Sequence, residues 1–382
     1  MYRIFREPGC AESECKICGN RSILISRGVD VCLSCLRNKP EEALVYTSMK
    51  HAESKRLYDL PSQPPKEGIS CGFCVNRCKI LPGEKGYCGM VTNVGEKLVR
   101  LAGIPERGVL SWYYDPLPTN CVADWVCPAG TGAGYPKYAN RNGPEYGYAN
   151  LAVFLGGCNF DCMFCQNWHF RENTRQLKPI MSSEDLAGKV NDKVSCICFF
   201  GGDPTPQMPH ALKTAEIASN NAKELGQIFR VCWETNGSMN WSLAMKAMEL
   251  SLESGGCVKF DLKCFDENLN IALCGVSNEY TLQNFKRLGQ MIEARPDPPP
   301  LIASTLLIPG YIDKEEVQKI AGFIAEISPN IPYALLGFFP HYFMTDLPVT
   351  SRNHAHECLE VAKKAGLKKV RIGNVQLLSS AY

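Results

Sequence analysis

Residues 151–165 read LAVFLGGCNFDCMFC: five apolar residues, two glycines, then three cysteines. A short apolar run closed by a turn signal is the pattern of a strand buried on both faces. The cysteines then fall on the loop just past that strand's carboxyl end. Cys158, Cys162 and Cys165 are spaced C-x3-C-x2-C. Three thiolates on so short a loop can ligate three irons of a [4Fe-4S] cube and leave the fourth without a protein ligand. An iron in that state is open to a substrate, much as the fourth position of a catalytic zinc is. A structural metal site completed by a distant group such as His169 is the plainer reading of the same spacing.

Further along the chain the strand pattern repeats. Apolar runs bounded by turn residues occur at 195–200, 228–233, 257–262, 301–308 and 333–339. Between them, helical periodicity marks 183–193, 209–225, 239–252, 279–294 and 314–327, the last opened by Asp313 with Glu316 three residues on. A helix at 352–365, capped by Ser351, leads to a short strand at 368–372. The alternation predicts an α/β fold. Six βα units are too few to close an eight-stranded barrel and suit a partial (β/α)6 barrel, whose reactive groups gather past the strand carboxyl ends. Cys196, Cys198 and Cys232 fall within strands and read as small core residues.

Toward the amino terminus the chain is cysteine-rich. Cys15, Cys18, Cys32 and Cys35 form C-x2-C-x13-C-x2-C, two turns that can close a four-thiolate zinc ribbon, and so short a segment would need the metal to fold. A helix at 40–57 and the Pro-rich stretch DLPSQPPKEG follow, the latter marking a boundary. Next come Cys71, Cys74, Cys78 and Cys88, which can hold either zinc or a [4Fe-4S] cluster, and spacing does not decide between them. Residues 98–150 are rich in Gly, Pro, Tyr and Asn. The glycines at 130, 132 and 134 lack the flanks of a dinucleotide fingerprint and read as loop. The expected units are a zinc-ribbon-like module at 1–60, a cysteine-rich region at 61–148, the partial barrel at 149–345, and a terminal helix and strand at 346–382.

Composition narrows the function classes. The 382 residues are 45% hydrophobic and 21% charged, with a formal charge of only +2, which excludes disorder and gives no strong field toward nucleic acid or anionic membrane. The 21 cysteines are an odd number and cannot all pair. The opening MYRIFREPGC has no apolar signal region, and no apolar run is long enough to span a bilayer. A reducing cytoplasm, where thiols stay free for metals, is the expected location.

The cysteine triplet after the first strand, followed by GGDP (201–204) after the second, resembles the radical S-adenosylmethionine superfamily. WETNG (233–237), FDLK (260–263), CGVSN (274–278), LIPGYID (307–313) and FFPHYF (338–343) are similar, in order and place, to motifs of its pyruvate formate-lyase activating enzyme group. The CGFC and GYCG pieces around 71–100 further resemble the amino-terminal segment of a set of activating-enzyme-like proteins, while the ribbon has no counterpart in small activating enzymes. The resemblance implies a [4Fe-4S] cluster at Cys158, Cys162 and Cys165 that chelates S-adenosyl-L-methionine. It implies cosubstrate contacts from Phe164, Gly201, Gly202, Asp203, Glu234, Asn236, Asp261, Lys263 and His341, with glycines 201 and 202 exposing backbone to the methionyl ammonium. Asp203 stands where the family has Glu, and Glu234 where it often has Asp. It also implies a ferredoxin or flavodoxin electron donor, reductive cleavage to a 5′-deoxyadenosyl radical, and an anaerobic iron-sulfur oxidoreductase acting on a protein, as glycyl radical activating enzymes do.

Two other readings compete. A radical maturase could modify another peptide or a small molecule. A zinc-ribbon nucleic-acid-binding protein would need a basic ribbon, whereas charges over 1–70 are nearly balanced. No sequence signal assigns roles to Cys10, Cys121 or Cys127.

Overall fold

The computed structural model describes residues 12–382, so Cys10 lies outside the described residues. At its centre is a nine-stranded sheet, with strands numbered in chain order: β1 Gly108–Pro116, β2 Ala149–Leu155, β3 Ile180–Met181, β4 Val194–Gly201, β5 Arg230–Thr235, β6 Val258–Asp261, β7 Leu301–Leu307, β8 Tyr333–Gly337 and β9 Val370–Gly373. Their spatial order is β9-β8-β7-β6-β5-β4-β2-β1-β3. From β2 to β9 every neighbouring pair is parallel. The sheet curls without joining its ends, which is the partial barrel expected.

Strand alternation sets its two faces. On β4 and β5, Phe199 and Trp233 point outward, stack at 4.7 Å and are almost wholly buried, with the Trp233 indole donating to Ala247 on the helix Trp241–Ser254. Burying an aromatic of this kind stabilises by roughly 1.5–3 kcal/mol. Cys196, Cys198, Arg230, Cys232, Cys257 and Lys259 occupy the alternate, inward positions. The covering helices start where the sequence says they do: Asn240, Asp313 and Ser351 each accept a bond from a backbone N–H three residues on.

Three local expectations change. The helix expected at 183–193 is Ser183–Ala187 and stops at Gly188. The one at 279–294 ends at Gly289, with a single 3-10 turn, Ile292–Ala294, beyond it. Within the Gly/Pro-rich stretch lies the nine-residue strand β1, which pairs antiparallel with all of β2. The sheet thus draws a strand from either side of the span 149–345: β1 before it and β9 after it.

Ahead of the sheet sit a hairpin of Ser13–Glu14 and Arg21–Ser22 and the helices Leu33–Asn38 and Pro40–Arg56. Two further hairpins follow, Ile69–Ser70 with Lys79–Ile80 and Val91–Val94 with Lys97–Arg100. Every described cysteine is a free thiol. Among the described residues no helix is long and apolar enough to cross a membrane.

Candidate active site

At the carboxyl ends of the parallel strands a cleft of about 400 Å³ opens. Cys158, Cys162 and Cys165 line it on the loop after β2, with Phe164 beside them. Gly201, Gly202 and Asp203 reach it from β4, Glu234 and Asn236 from β5, and Asp261 and Lys263 from β6. His341 is not part of the lining; it packs against Phe339 at 5.3 Å, and burial and the nearby His169 lower its pKa.

The cysteine loop is held from three directions. Asp161 and Met163 donate backbone N–H bonds to Cys274 and Leu273, and Phe343 donates to Met163. Asp161 itself is fully buried between Arg171 (2.8 Å), His51 (3.0 Å) and Ser54 (2.9 Å). Burial opposes its charge, yet Arg171, His51 and Lys55 outweigh that cost and hold its carboxyl well below the usual range. Three of those partners belong to the helix Pro40–Arg56, so the amino-terminal module braces the loop. The sequence carried the signal, an Asp enclosed by the C-x3-C spacing, but its partners come from remote segments.

Glycines 201 and 202 line the cleft and also make a close backbone contact. A Cβ on Gly202 would stand 2.0 Å from the Gly157 carbonyl oxygen, and one on Gly201 2.6 Å from the Leu155 nitrogen. They let the β4 loop lie directly on the cysteine loop, where Gly202 and Asp203 donate to the carbonyls of Leu155 and Gly157. Asp203 is likewise turned inward. It accepts from Thr205 N (2.8 Å), Asn236 N (2.7 Å) and, at both oxygens, Thr235 Oγ1. Three donors hold its two oxygens, the Thr235 hydroxyl being shared between them, so Asp203 positions the loops; burial raises its pKa despite these donors. Asn236 extends the brace, donating from Nδ2 to Asn159 Oδ1 at 2.8 Å, with Cys158 Sγ at 4.0 Å.

The opposite wall is charged. Lys263 hydrogen-bonds Asp261 and lies 5.4 Å over the Phe164 ring. Burial disfavours its ammonium, but Asp261 and Cys162 more than compensate and its pKa rises. A hydrogen bond from Cys274 pulls the Cys162 thiol below its usual range, while burial pushes Cys158 and Cys165 up. Three polar atoms of lining residues, Asp261 Oδ1, Arg171 Nη1 and Arg371 Nε, are buried with no hydrogen-bond partner among the described residues. Such atoms suit a ligand that brings its own polar groups.

Beneath the cleft the inward cysteines Cys196, Cys198 and Cys257 are buried as expected of small core residues, and they also border a hollow. Cys196, Cys198, Cys232 and Cys257, joined by Cys121 and Cys127, line a chamber of about 340 Å³ that shares Cys121, Glu234 and Lys259 with the cleft. The buried Lys259 ammonium sits 3.2 Å from Cys121 Sγ, 3.1 Å from Cys198 Sγ and 2.9 Å from Glu234. The sequence missed this chamber because period-two alternation alone does not say whether an inward face is packed or hollow.

The ribbon cysteines converge as expected. The sulfurs of Cys15, Cys18, Cys32 and Cys35 all lie within 4.8 Å of one another, with Cys15–Cys35 at 3.7 Å and Cys18–Cys32 at 3.8 Å. The module docks on the barrel through Tyr311, which donates to Val31 O, through Ser26 and Asp346 (2.7 Å), and through Arg37, bidentate to Asp313 at 2.8 Å. Cys71, Cys74, Cys78 and Cys88 line a separate small cavity.

Residues 153–324 match the family model described as the Radical SAM superfamily. An uncharacterized protein of Methanocaldococcus jannaschii is 26% identical over 80% of this chain and 81% of its own length. Another protein of that organism, provisionally named a glycyl-radical enzyme activating enzyme, is 28% identical over 49% of this chain and 67% of its own. A solved domain of a pyruvate-formate lyase-activating enzyme from Bacteroides vulgatus is 22% identical, covers 46% of this chain and 98% of that one, and superposes with a TM-score of 0.36. The chain carries a radical SAM domain at residues 153–324, built on β2 to β7 with the three-cysteine loop at its head.

Proposed function

We propose that this protein is a radical S-adenosylmethionine enzyme that activates or modifies another protein. The observation that carries the reading is the three-thiol loop, set at the carboxyl end of the first parallel strand and lining the cleft. Cys158, Cys162 and Cys165 would hold a [4Fe-4S] cluster and leave one iron open. When bound, that cluster supplies the electron that cleaves S-adenosylmethionine.

The chain's own residues bind and orient. Asp261, with its unpartnered oxygen, accepts from polar hydrogens of the cosubstrate, and Lys263 balances a carboxylate. Phe164 offers an apolar flank, and Arg171 a free N–H. Asp203 and Asn236 keep the loops in register rather than touching the cosubstrate. A ferredoxin or flavodoxin is the natural class of donor. The relatives named as glycyl-radical activating enzymes support a protein substrate. Cys15, Cys18, Cys32 and Cys35 fit zinc, which would contribute folding energy to the module rather than chemistry.

After anaerobic iron-sulfur reconstitution and reduction, the protein should convert S-adenosylmethionine to 5′-deoxyadenosine and methionine, and Cys162→Ala should abolish that turnover. Full turnover by C162A would sink the assignment. A second reading, a maturase acting on a small molecule or a single peptide side chain, is favoured by the chamber, whose size matches small-ligand sites.

A further inference from the structure

Cys71, Cys74, Cys78 and Cys88 surround one small cavity. The backbone builds it: Cys71 N donates to Cys78 O at 2.8 Å, closing the hairpin, and Cys74 bridges to Met239. Cys71, Cys74 and Cys88 keep some accessible surface while Cys78 is buried, and all four line the cavity.

The spacing of the sulfurs decides what the void fits. A single tetrahedral ion at about 2.3 Å from each sulfur sets them about 3.8 Å apart. The ribbon meets that value at 3.7 and 3.8 Å. Among the described residues no other set of three or more ligand-type side chains brings its atoms within 4.8 Å of one another. No three of the thiols of Cys71, Cys74, Cys78 and Cys88 are thus drawn together as one ion would hold them, yet all four line one cavity. A cube with irons on four corners holds its thiolates wider than one ion does.

Charge and position agree. Four thiolates around a [4Fe-4S] core carry net negative charge, and Arg100 stands on the cavity wall with its guanidinium 3.8 Å from the Phe73 ring centre. One of its hydrogens goes to Pro206 O, while its buried Nε has no hydrogen-bond partner among the described residues and is free to donate to a cluster sulfur. Asn159, the neighbour of Cys158, also lines the cavity, and Asn76 donates to its carbonyl at 2.7 Å. The Cys71–Gly72 turn reaches the surface on the far side.

We propose that Cys71, Cys74, Cys78 and Cys88 hold a second [4Fe-4S] cluster, with every iron on a protein thiolate, that relays electrons to the cluster at Cys158, Cys162 and Cys165. A one-electron donor of the ferredoxin or flavodoxin class reduces it from the 2+ to the 1+ state. It returns to 2+ as that electron crosses past Asn159; no bond forms or breaks. Only the electron acceptor rests on the function proposed above.

The test uses the full chain reconstituted anaerobically. Wild type should bind about eight irons, and a Cys158→Ala/Cys162→Ala/Cys165→Ala variant about four. The reduced variant should show a [4Fe-4S] electron paramagnetic resonance signal that S-adenosylmethionine leaves unchanged. A variant with no iron, and with zinc beyond that of the ribbon, overturns the site. Because all four ligands are intact there, this readout survives even if a Cys74→Ala/Cys78→Ala variant fails to fold. Where that second variant folds, it should keep the signal that S-adenosylmethionine perturbs and lose most of its rate of reduction by flavodoxin; an unchanged rate overturns the relay. If the triple variant loses no iron relative to wild type, the catalytic assignment fails and the second site stands.

Discussion

The two four-cysteine groups ahead of the barrel contain the same ligands and differ in what the backbone does with them. In the ribbon, Cys15 also accepts a bond from Cys32 N at 3.4 Å, and its sulfurs already touch. Cys71, Cys74, Cys78 and Cys88 instead line a small hollow beside the hairpin that Cys71 N and Cys78 O close. Equal counts of cysteine thus meet different backbone settings, and on the proposals above they would take different metals. The ribbon's role is also mechanical, since it meets the barrel at Tyr311, Asp313 and Asp346 rather than at the cleft.

The largest effect that sharpens this contrast is metal removal. A zinc chelator under anaerobic conditions should strip one zinc per chain and release residues 12–39 to protease, since a structural zinc contributes on the order of 10 kcal/mol to such modules. The iron signals should persist; their loss together with the zinc would erase the distinction between the groups.

Next is Asp161, where the amino-terminal module meets the cysteine loop. Asp161→Asn leaves Arg171 buried without its counter-charge and should lower unfolding free energy by about 3–5 kcal/mol, measured in urea. Its depressed pKa means that this stabilisation is present above the ordinary aspartate range and fades as pH falls below about 4. Wild type should therefore lose stability with acid there, and D161N should not show that component.

Asp203→Asn replaces two acceptor oxygens by one and should cost about 1–3 kcal/mol. Because Asp203 positions the loops, the variant should keep its iron while binding S-adenosylmethionine more weakly in equilibrium dialysis. Smallest is Arg37→Ala at the ribbon's edge: Asp313 is one-third exposed, so the pair is worth at most about 1 kcal/mol, and zinc content should not change.

Much of the barrel was legible in the sequence. The strands sit within two residues of the apolar runs, because parallel strands buried on both faces advertise themselves as unbroken hydrophobic stretches. The cysteine triplet and the acidic and glycine positions fall around one cleft for the same reason: they close those strands. What stayed hidden depends on contacts across long separations. β1 reads GVLSWYYDP, and half of it is solvent-facing, so its alternation dissolves into the Tyr- and Pro-rich background. Asp203 and His341 were legible by position, but the loop hydrogen bonds of the one and the Phe339 contact of the other are facts of three dimensions. The thiol chamber was hidden because Cys in a strand ordinarily fills space.

β1 also limits how far the protein can be cut down. Its register along Leu110–Leu155 to Pro116–Ala149 covers every backbone group on the free side of β2. A fragment trimmed to the family-matching stretch would bare that side beside the cysteine loop, as an unguarded edge ready to pair with another molecule. A fragment for study would therefore keep residues 108–116 together with the family-matching stretch.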